Sequence, residues 1–512
     1  MTFKSILFKN LGDIQAEKNL EGEEYFVDLN LEQIIHSVIR GKQEEYNIKP
    51  FFYMPLHNIE DIYFRQQVMR DLENTSLFES IKSFAERMHS MRVNLSLAER
   101  LHYKYNKQGW FLEAVRDYCE AVSLLIKDLP LIDLKSPGFL DFRAYLDKYI
   151  KSDFFISLQA ELEIIKNDLS KIMYCLVIKG NRVKVQKYNY EIDYSLEVEK
   201  TFEKFKRESV KDYRCKYSKD AGMNHIEANI INCVARLFPE IFLSLDNYCK
   251  KNFNFVDDNI LKFDREVQFY ITYLELILKL KSKGLKFCYP EISDIKKEVY
   301  NFEGFDLALA DKLFYEKSSI VTNDFYLESK ERILVVSGPN QGGKTTFART
   351  FGQLHYLASL GLPVPGRKSK LFLYDKIFTH FEKEEDIKNL RGKLQDDLLR
   401  IQLILDNAFP DSIIILNEIF TSTTLQDSIF LSKKIMEKII KLNLFCVWVT
   451  FIVELSTFGD ETVSMVSTVK PENPALRTFK IIRKQADGLA YAISIAEKYR
   501  LTQHYIKERI RK

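Results

Sequence analysis

The segment Gly338-Pro339-Asn340-Gln341-Gly342-Gly343-Lys344-Thr345-Thr346 satisfies the pattern G-x-x-x-x-G-K-[ST], the most specific chemical signal in the chain. Glycines let such a loop turn tightly, so that backbone N–H groups and the N-terminus of a following helix face a phosphate. Lys344 is then placed to reach the β- and γ-phosphates of a nucleotide, and the Thr345 hydroxyl to ligate Mg²⁺. A phosphate loop of this kind needs polar groups at the tip of a neighbouring strand, and the run IIILNE, residues 413–418, supplies them about 75 residues further on. Asn417 falls where a magnesium-orienting carboxylate is expected and offers a neutral ligand instead. Glu418 can polarise an attacking water, help worth on the order of 10²- to 10⁴-fold. The plainer alternative is that Asn417 and Glu418 only close the strand.

The elements around these residues fit the chemistry. An apolar, β-rich run (ILVV, 333–336) leads into the loop, and an amphipathic stretch (346–359) leads out. With IIIL (413–416) and LFCVWV (444–449) it makes three short, nearly uniformly apolar runs, the pattern of buried central strands in a parallel α/β sheet. RTFKIIRK (477–484) reads as a more exposed strand, and 427–442 as a helix. Before about residue 300 the text is mostly helical, as over 61–88 and 263–280. One exception is YCLVIKGNRVKVQK, 174–187, where two β-branched runs flank Gly180-Asn181 as in a hairpin. The change of style places a domain boundary at 296–306.

A chain of 512 residues with 46% hydrophobic and 29% charged residues has an ordinary globular composition, too long for one domain. The formal charge of +3 favours no partner by itself, so a nucleic-acid contact requires a local patch. Seven cysteines, odd in number and without a C-x-x-C pair, read as reduced thiols, which points to the cytoplasm. No apolar run reaches the length of a membrane span, and the opening residues lack a signal-like segment. The expectation is a soluble intracellular protein without a membrane partner. The eight histidines form no zinc pattern, and His355, on the helix after the loop, reads as a packed or surface residue.

Taken in order, these residues resemble the MutS family of ATPases, within the ABC ATPase superfamily. GPNQGGKTT is similar to the family's G-P-N-x-G-G-K-[ST]. IVTNDFYL resembles the segment that flanks the adenine, which implies Ile320 and Val321 against the base and Asn323 in the turn after them. LPVPG (362–366), DKIFTHF (375–381), NEIFTSTTLQDS (417–428, keeping Glu418, Ile419, Thr423 and Asp427) and AYAISIA (490–496) resemble further family blocks. More weakly, DIYFRQQVMRDLENTSLFESI (61–81) is similar to the helix that opens the family's helical core. The resemblance implies a multidomain chain. An N-terminal segment (1–50) precedes a mainly α-helical core and lever region (51–300) with a clamp-like insertion at about 166–257. An α/β P-loop ATPase domain of ABC type (301–512) follows. It implies ATP and Mg²⁺ as cofactors, a homodimer whose signature acts across subunits, and DNA, duplex or branched, as partner. Nothing resembles the family's mismatch-reading N-terminal domain.

The chain departs from the family at three places. Asn417 replaces an Asp, Phe451 follows Thr450 where a histidine is usual, and the signature G-R-S-T-F reads Leu390-Arg391-Gly392-Lys393-Leu394. Arg391 or Lys393 could supply charge there, or form a solvated basic turn. A second patch, TFEKFKRESVKDYRCKYSK (201–219), interleaves aromatics with Lys204, Lys206, Arg207, Lys211, Arg214, Lys216 and Lys219. It suits sequence-independent phosphate contacts, or equally a solvated amphipathic helix. Two functions remain open: an ATPase that couples turnover to DNA binding, and a nucleotide-gated binding or scaffold protein with little turnover. A structural-maintenance type of ABC ATPase fits less well, for want of a long heptad coiled coil.

Overall fold

The apolar runs of the C-terminal half become the interior of a six-stranded sheet in a computed structural model that describes residues 3–9, 23–192, 194–203, 222–316, 318–382, 392–470, 472–486 and 506–507. Its strands lie in the order Ile377–Phe381, Ile413–Asn417, Phe445–Val449, Ile333–Ser337, Thr462–Lys470, Asn473–Arg483. The first five are parallel to their neighbours and the last is antiparallel. Three of the central strands are buried at every position, which explains why they lack alternation.

Helices cover both faces. On one, Ile401, Ile404, Ile435, Met436 and Ile439 from the helices Lys393–Asn407 and Leu425–Leu442 pack on Ile333, Val335, Leu416 and Trp448. The other carries the helix Lys344–Ser359, buried along nearly its whole length. That degree of burial follows from N-terminal residues that wrap it. Gln353 donates to the Leu29 carbonyl (2.9 Å), and Arg349 to that of Asp28 (2.8 Å). The fully buried Arg65 donates to Leu7 O (2.9 Å) and to Leu360 O (3.2 Å) just beyond the helix. A smaller four-stranded sheet, in the order Glu291–Ser293, Lys368–Phe372, Val299–Gly304, Asn323–Leu327, belongs to the same unit.

The chain divides into two compact units. One holds Asn74–Leu134 and Leu140–Asp264 with the first three residues; the other holds Lys4–Glu73, Lys135–Phe139 and Arg265–Lys512. Residues 4–73, which the sequence reading divides between an N-terminal segment and the helical region, therefore lie with the sheet. The first unit is helical, built on the long helices Thr75–Arg100, Lys104–Asp128 and Asp153–Ser170, and carries the hairpin of strands Tyr174–Lys179 and Arg182–Lys187. The helical stretch expected over 61–88 is broken. The helix Ile59–Leu72 closes at Glu73, and Asn74 starts the next, its side chain accepting from the amides of Ser76 (2.9 Å) and Leu77 (3.2 Å). No single helix among the described residues is long and apolar enough to cross a membrane. The pair His225–Leu237 and Pro239–Lys251 is so only when joined across a 108° bend.

Candidate functional site

The glycine-rich loop leaves the strand Ile333–Ser337 and ends at the first turn of the helix Lys344–Ser359. Its backbone takes positive φ at Gly338 (121°), Gln341 (58°) and Gly343 (88°), at little cost only where the residue is glycine. A Cβ at Gly342 would meet the Ser467 hydroxyl at 2.3 Å, and one at Gly338 the Ser467 carbonyl oxygen at 2.9 Å. The reason is that Ser467, fully buried on the adjacent strand, lies directly beneath the loop and donates from Oγ to Gly342 O (2.7 Å).

Two strands away, Asn417 and Glu418 end the strand Ile413–Asn417, beside the loop. Asn417 Oδ1 accepts from the Thr345 hydroxyl at 2.9 Å. Glu418 and Phe420 both adopt the left-handed region (φ 53° and 61°), and the Glu418 amide is tied to Val449 O at 2.9 Å. Non-glycine residues held this way cost about 1–3 kcal/mol each and gather where a side chain must be aimed. Glu418 is aimed at Lys344: Oε1 lies 3.5 Å from Nζ. The Lys344 ammonium also donates to Gly338 O (3.1 Å) and Pro339 O (3.2 Å), with Asn340 Oδ1 at 3.5 Å and the Phe451 ring centroid at 4.3 Å. Burial holds its pKa below the ordinary lysine value, Glu418 opposes this, and the nearby Arg477 guanidinium reinforces it.

The donors that converge here are oxygens: the Thr345 hydroxyl, the Asn417 amide oxygen and the Glu418 carboxylate. A hard, oxygen-seeking cation such as Mg²⁺ fits that set, since it keeps several waters and shares itself with phosphates. Among the described residues no group of three or more His, Cys, Asp or Glu side chains is placed to hold a metal ion.

The surroundings of the residues expected to flank a base were only partly legible in the sequence. Ile320 and Val321 lie half-buried just ahead of the strand Asn323–Leu327. Asn323 accepts from the Ile481 amide (2.7 Å) and donates to Phe479 O (3.2 Å). The last strand loses register with its neighbour between Ile481 and Arg477, and Phe479 sits there at φ 58°. That irregularity brings its ring to within 3.7 Å of where a Cβ on Gly343 would lie. Arg477, on the same strand, donates from Nε to Asn340 O at 3.2 Å. Ser467, Arg477 and Phe479 were missed from sequence because their neighbours are fixed by strand pairing and not by spacing.

Other expected residues fall into place or outside the described set. Thr424 caps the helix Leu425–Leu442, and Asp427 accepts from its hydroxyl at 2.8 Å and from that of Thr423 at 3.5 Å. Gly392 precedes the helix Lys393–Asn407, and Lys393 forms an ion pair with Glu382. Leu390, Arg391 and the block 490–496 lie outside the described residues, as does 204–219 of the basic aromatic segment. His355 is buried, its Nδ1 paired with Phe351 O at 2.8 Å, and burial lowers its pKa to about 4.

Comparison with known proteins matches residues 334–511 to MutS domain V. A DNA mismatch repair protein MutS from Thermotoga petrophila is 30% identical over 183 residues, 35% of this chain and 23% of that protein. Its counterpart from Clostridium botulinum is 26% identical over 281 residues, 53% of this chain and 28% of that protein. One from Thermosipho melanesiensis is 27% identical over 187 residues, covering 35% and 22%. The chain thus spans about a quarter of the length of the curated relatives it matches.

Proposed function

Because the chain belongs to the MutS family, we propose that it is an ATPase that couples ATP binding and hydrolysis to DNA binding, in repair or recombination. One observation carries this reading: Lys344, Thr345, Asn417 and Glu418 converge on a loop whose backbone is shaped for phosphates. In the proposed cycle the loop amides of 340–343 and the Thr346 turn hold the phosphates, and Lys344 moves from its loop carbonyls onto the β- and γ-phosphates. Ile320, Val321 and Phe479 flank the base. Thr345 and Asn417 would hold Mg²⁺, which supplies charge neutralisation at the phosphates. Glu418 orients and polarises the attacking water.

We propose a core and lever role for residues 51–300, of which 51–73 and 265–300 belong to the unit that holds the sheet, an ATPase role for 301–512, and a clamp-like role for about 166–257. Support for a DNA contact there comes from the hairpin. Cross-strand pairing puts Cys175, Val177, Lys179, Arg182, Lys184 and Gln186 on one face, with its three cations towards the turn and the Glu191 carboxylate accepting from Gln186 (2.9 Å) at the other end. Such a face neutralises phosphates without reading bases. The homodimer remains part of the proposal, since the altered signature is expected to act across subunits.

A second reading, a nucleotide-gated DNA-binding or scaffold protein with little turnover, is favoured by a specific feature. Phe451 offers an apolar ring beside Lys344 where no hydrogen bond to a phosphate can form, and Asn417 brings no charge. Steady-state ATP hydrolysis with and without duplex, mismatched and branched DNA separates the two. In the enzyme, Lys344→Ala abolishes turnover that DNA alters, and Glu418→Gln lowers it by 10²-fold or more. Nucleotide binding with no turnover in any DNA condition leaves only the scaffold.

A further inference from the structure

The Lys344 side chain is 3% exposed, yet its ammonium lies 4.3 Å from the centroid of a ring, Phe451, that is itself 49% exposed. An ammonium has three hydrogens. Here Gly338 O and Pro339 O take two, and the Glu418 carboxylate with Asn340 Oδ1 competes for the third. The ring face covers a further side, in the geometry of a cation–π contact. The backbone that carries the ring is fixed on both sides. The Thr450 amide donates to Val336 O at 3.0 Å, and the Ile452 amide to Thr450 Oγ1 at 3.0 Å. The backbone is therefore anchored to the loop strand, while the side chain is half in solvent.

We propose that Phe451 is a positioning residue that latches Lys344 in its nucleotide-free place, so that an incoming polyphosphate must displace the ring from the ammonium. A phosphate oxygen cannot hydrogen-bond to an ammonium from behind an aromatic face. The ring and the phosphates therefore compete for one cation, and the latch weakens nucleotide binding by the strength of the cation–π contact. For a half-exposed pair that is about 2- to 5-fold in affinity. The proposal rests on the reading of this loop as a nucleotide site, but the latch itself exists without nucleotide and is tested that way.

The full-length protein is treated with an amine-acylating reagent in the absence of nucleotide, and the rate at Lys344 is read by mass spectrometry against exposed lysines such as Lys250. Phe451→Leu keeps an apolar side chain but removes the π face. It is expected to speed Lys344 modification about 2- to 5-fold and to tighten binding of a fluorescent ATP analogue by a similar factor. Phe451→Tyr restores both to wild-type values, which a mere packing role for the ring does not require. An unchanged Lys344 rate in Phe451→Leu overturns the latch, whatever the nucleotide does. Failure of the wild type to bind the ATP analogue overturns the nucleotide-site reading instead, and leaves the acylation rate to decide the latch.

Discussion

Replacing Ser467 by Ala removes one oxygen from a fully buried position and leaves Gly342 O, in the middle of the loop, without its 2.7 Å donor. A buried acceptor stripped of its partner costs about 1–3 kcal/mol, because the carbonyl has already lost its water. The same strand supplies the control. Ser464 Oγ is also buried but has no hydrogen-bond partner among the described residues, so Ser464→Ala should cost nothing or stabilise slightly. Urea unfolding of the two variants, followed by a probe in the sheet such as the buried Trp448, gives the comparison. We expect Ser467→Ala to lose about 1–3 kcal/mol relative to Ser464→Ala. The loosened carbonyl lies two residues before Lys344, so binding of the ATP analogue should weaken in Ser467→Ala and not in Ser464→Ala. Equal stability of the two variants would refute the claim that Ser467 is what fixes the loop.

Asn417→Asp places a carboxylate where the amide oxygen now meets Thr345 at 2.9 Å, and should lower the Mg²⁺ concentration needed for ATP-analogue binding several-fold, read by titration at fixed nucleotide. His355 has a folded pKa of about 4, below the roughly 6.5 of an unfolded histidine, so its contribution is present above pH 6.5 and is lost as pH falls towards 4. His355→Phe should therefore remove about 2 kcal/mol of the stability difference between pH 7 and pH 5, measured by urea unfolding at both. Changing Lys179, Arg182 and Lys184 together to Glu should weaken duplex binding at low salt and flatten the slope of log K against log salt by roughly 2–3, measured by anisotropy. An unchanged slope removes the hairpin from the interface.

The central strands were legible because burial on both faces makes them uniformly apolar, and the loop because its glycines and lysine stand at fixed spacing. What stayed hidden has a common cause in long-range geometry. Arg65 reads as one more charge on a helix, yet it is fully buried because its acceptors, Leu7 O and Leu360 O, come from segments 58 and 295 residues away. This is why residues 4–73 could not be assigned to the sheet unit from periodicity. Ser467 looks like any small residue in TVSMVSTVK, and its place under Gly342 follows from parallel pairing with the loop strand. Phe479 belongs to a strand whose alternation fails at the register shift, so the face it presents could not be read from the pattern. The break at Asn74 was missed for a local reason. A single capping side chain outweighs the helical spacing that continues on both sides.

The departures at 417 and 451 bear on two steps of one cycle, and Glu418 connects them. Glu418 lies 3.5 Å from the Lys344 ammonium, and on the proposed reading, with Asn417 neutral, it must also polarise the water. Lys344 in turn is held by two loop carbonyls and covered by Phe451. On the proposed reading, a polyphosphate that draws Lys344 away releases Phe451 and Glu418 in the same movement. Glu418 then becomes free to turn towards the water only after the phosphates have arrived. Arg477, whose guanidinium lies against Asn340 O, adds a second positive charge on the side from which they are held. The balance of charge around the loop thus favours the anion over the metal, so nucleotide binding should depend less on Mg²⁺ than hydrolysis does.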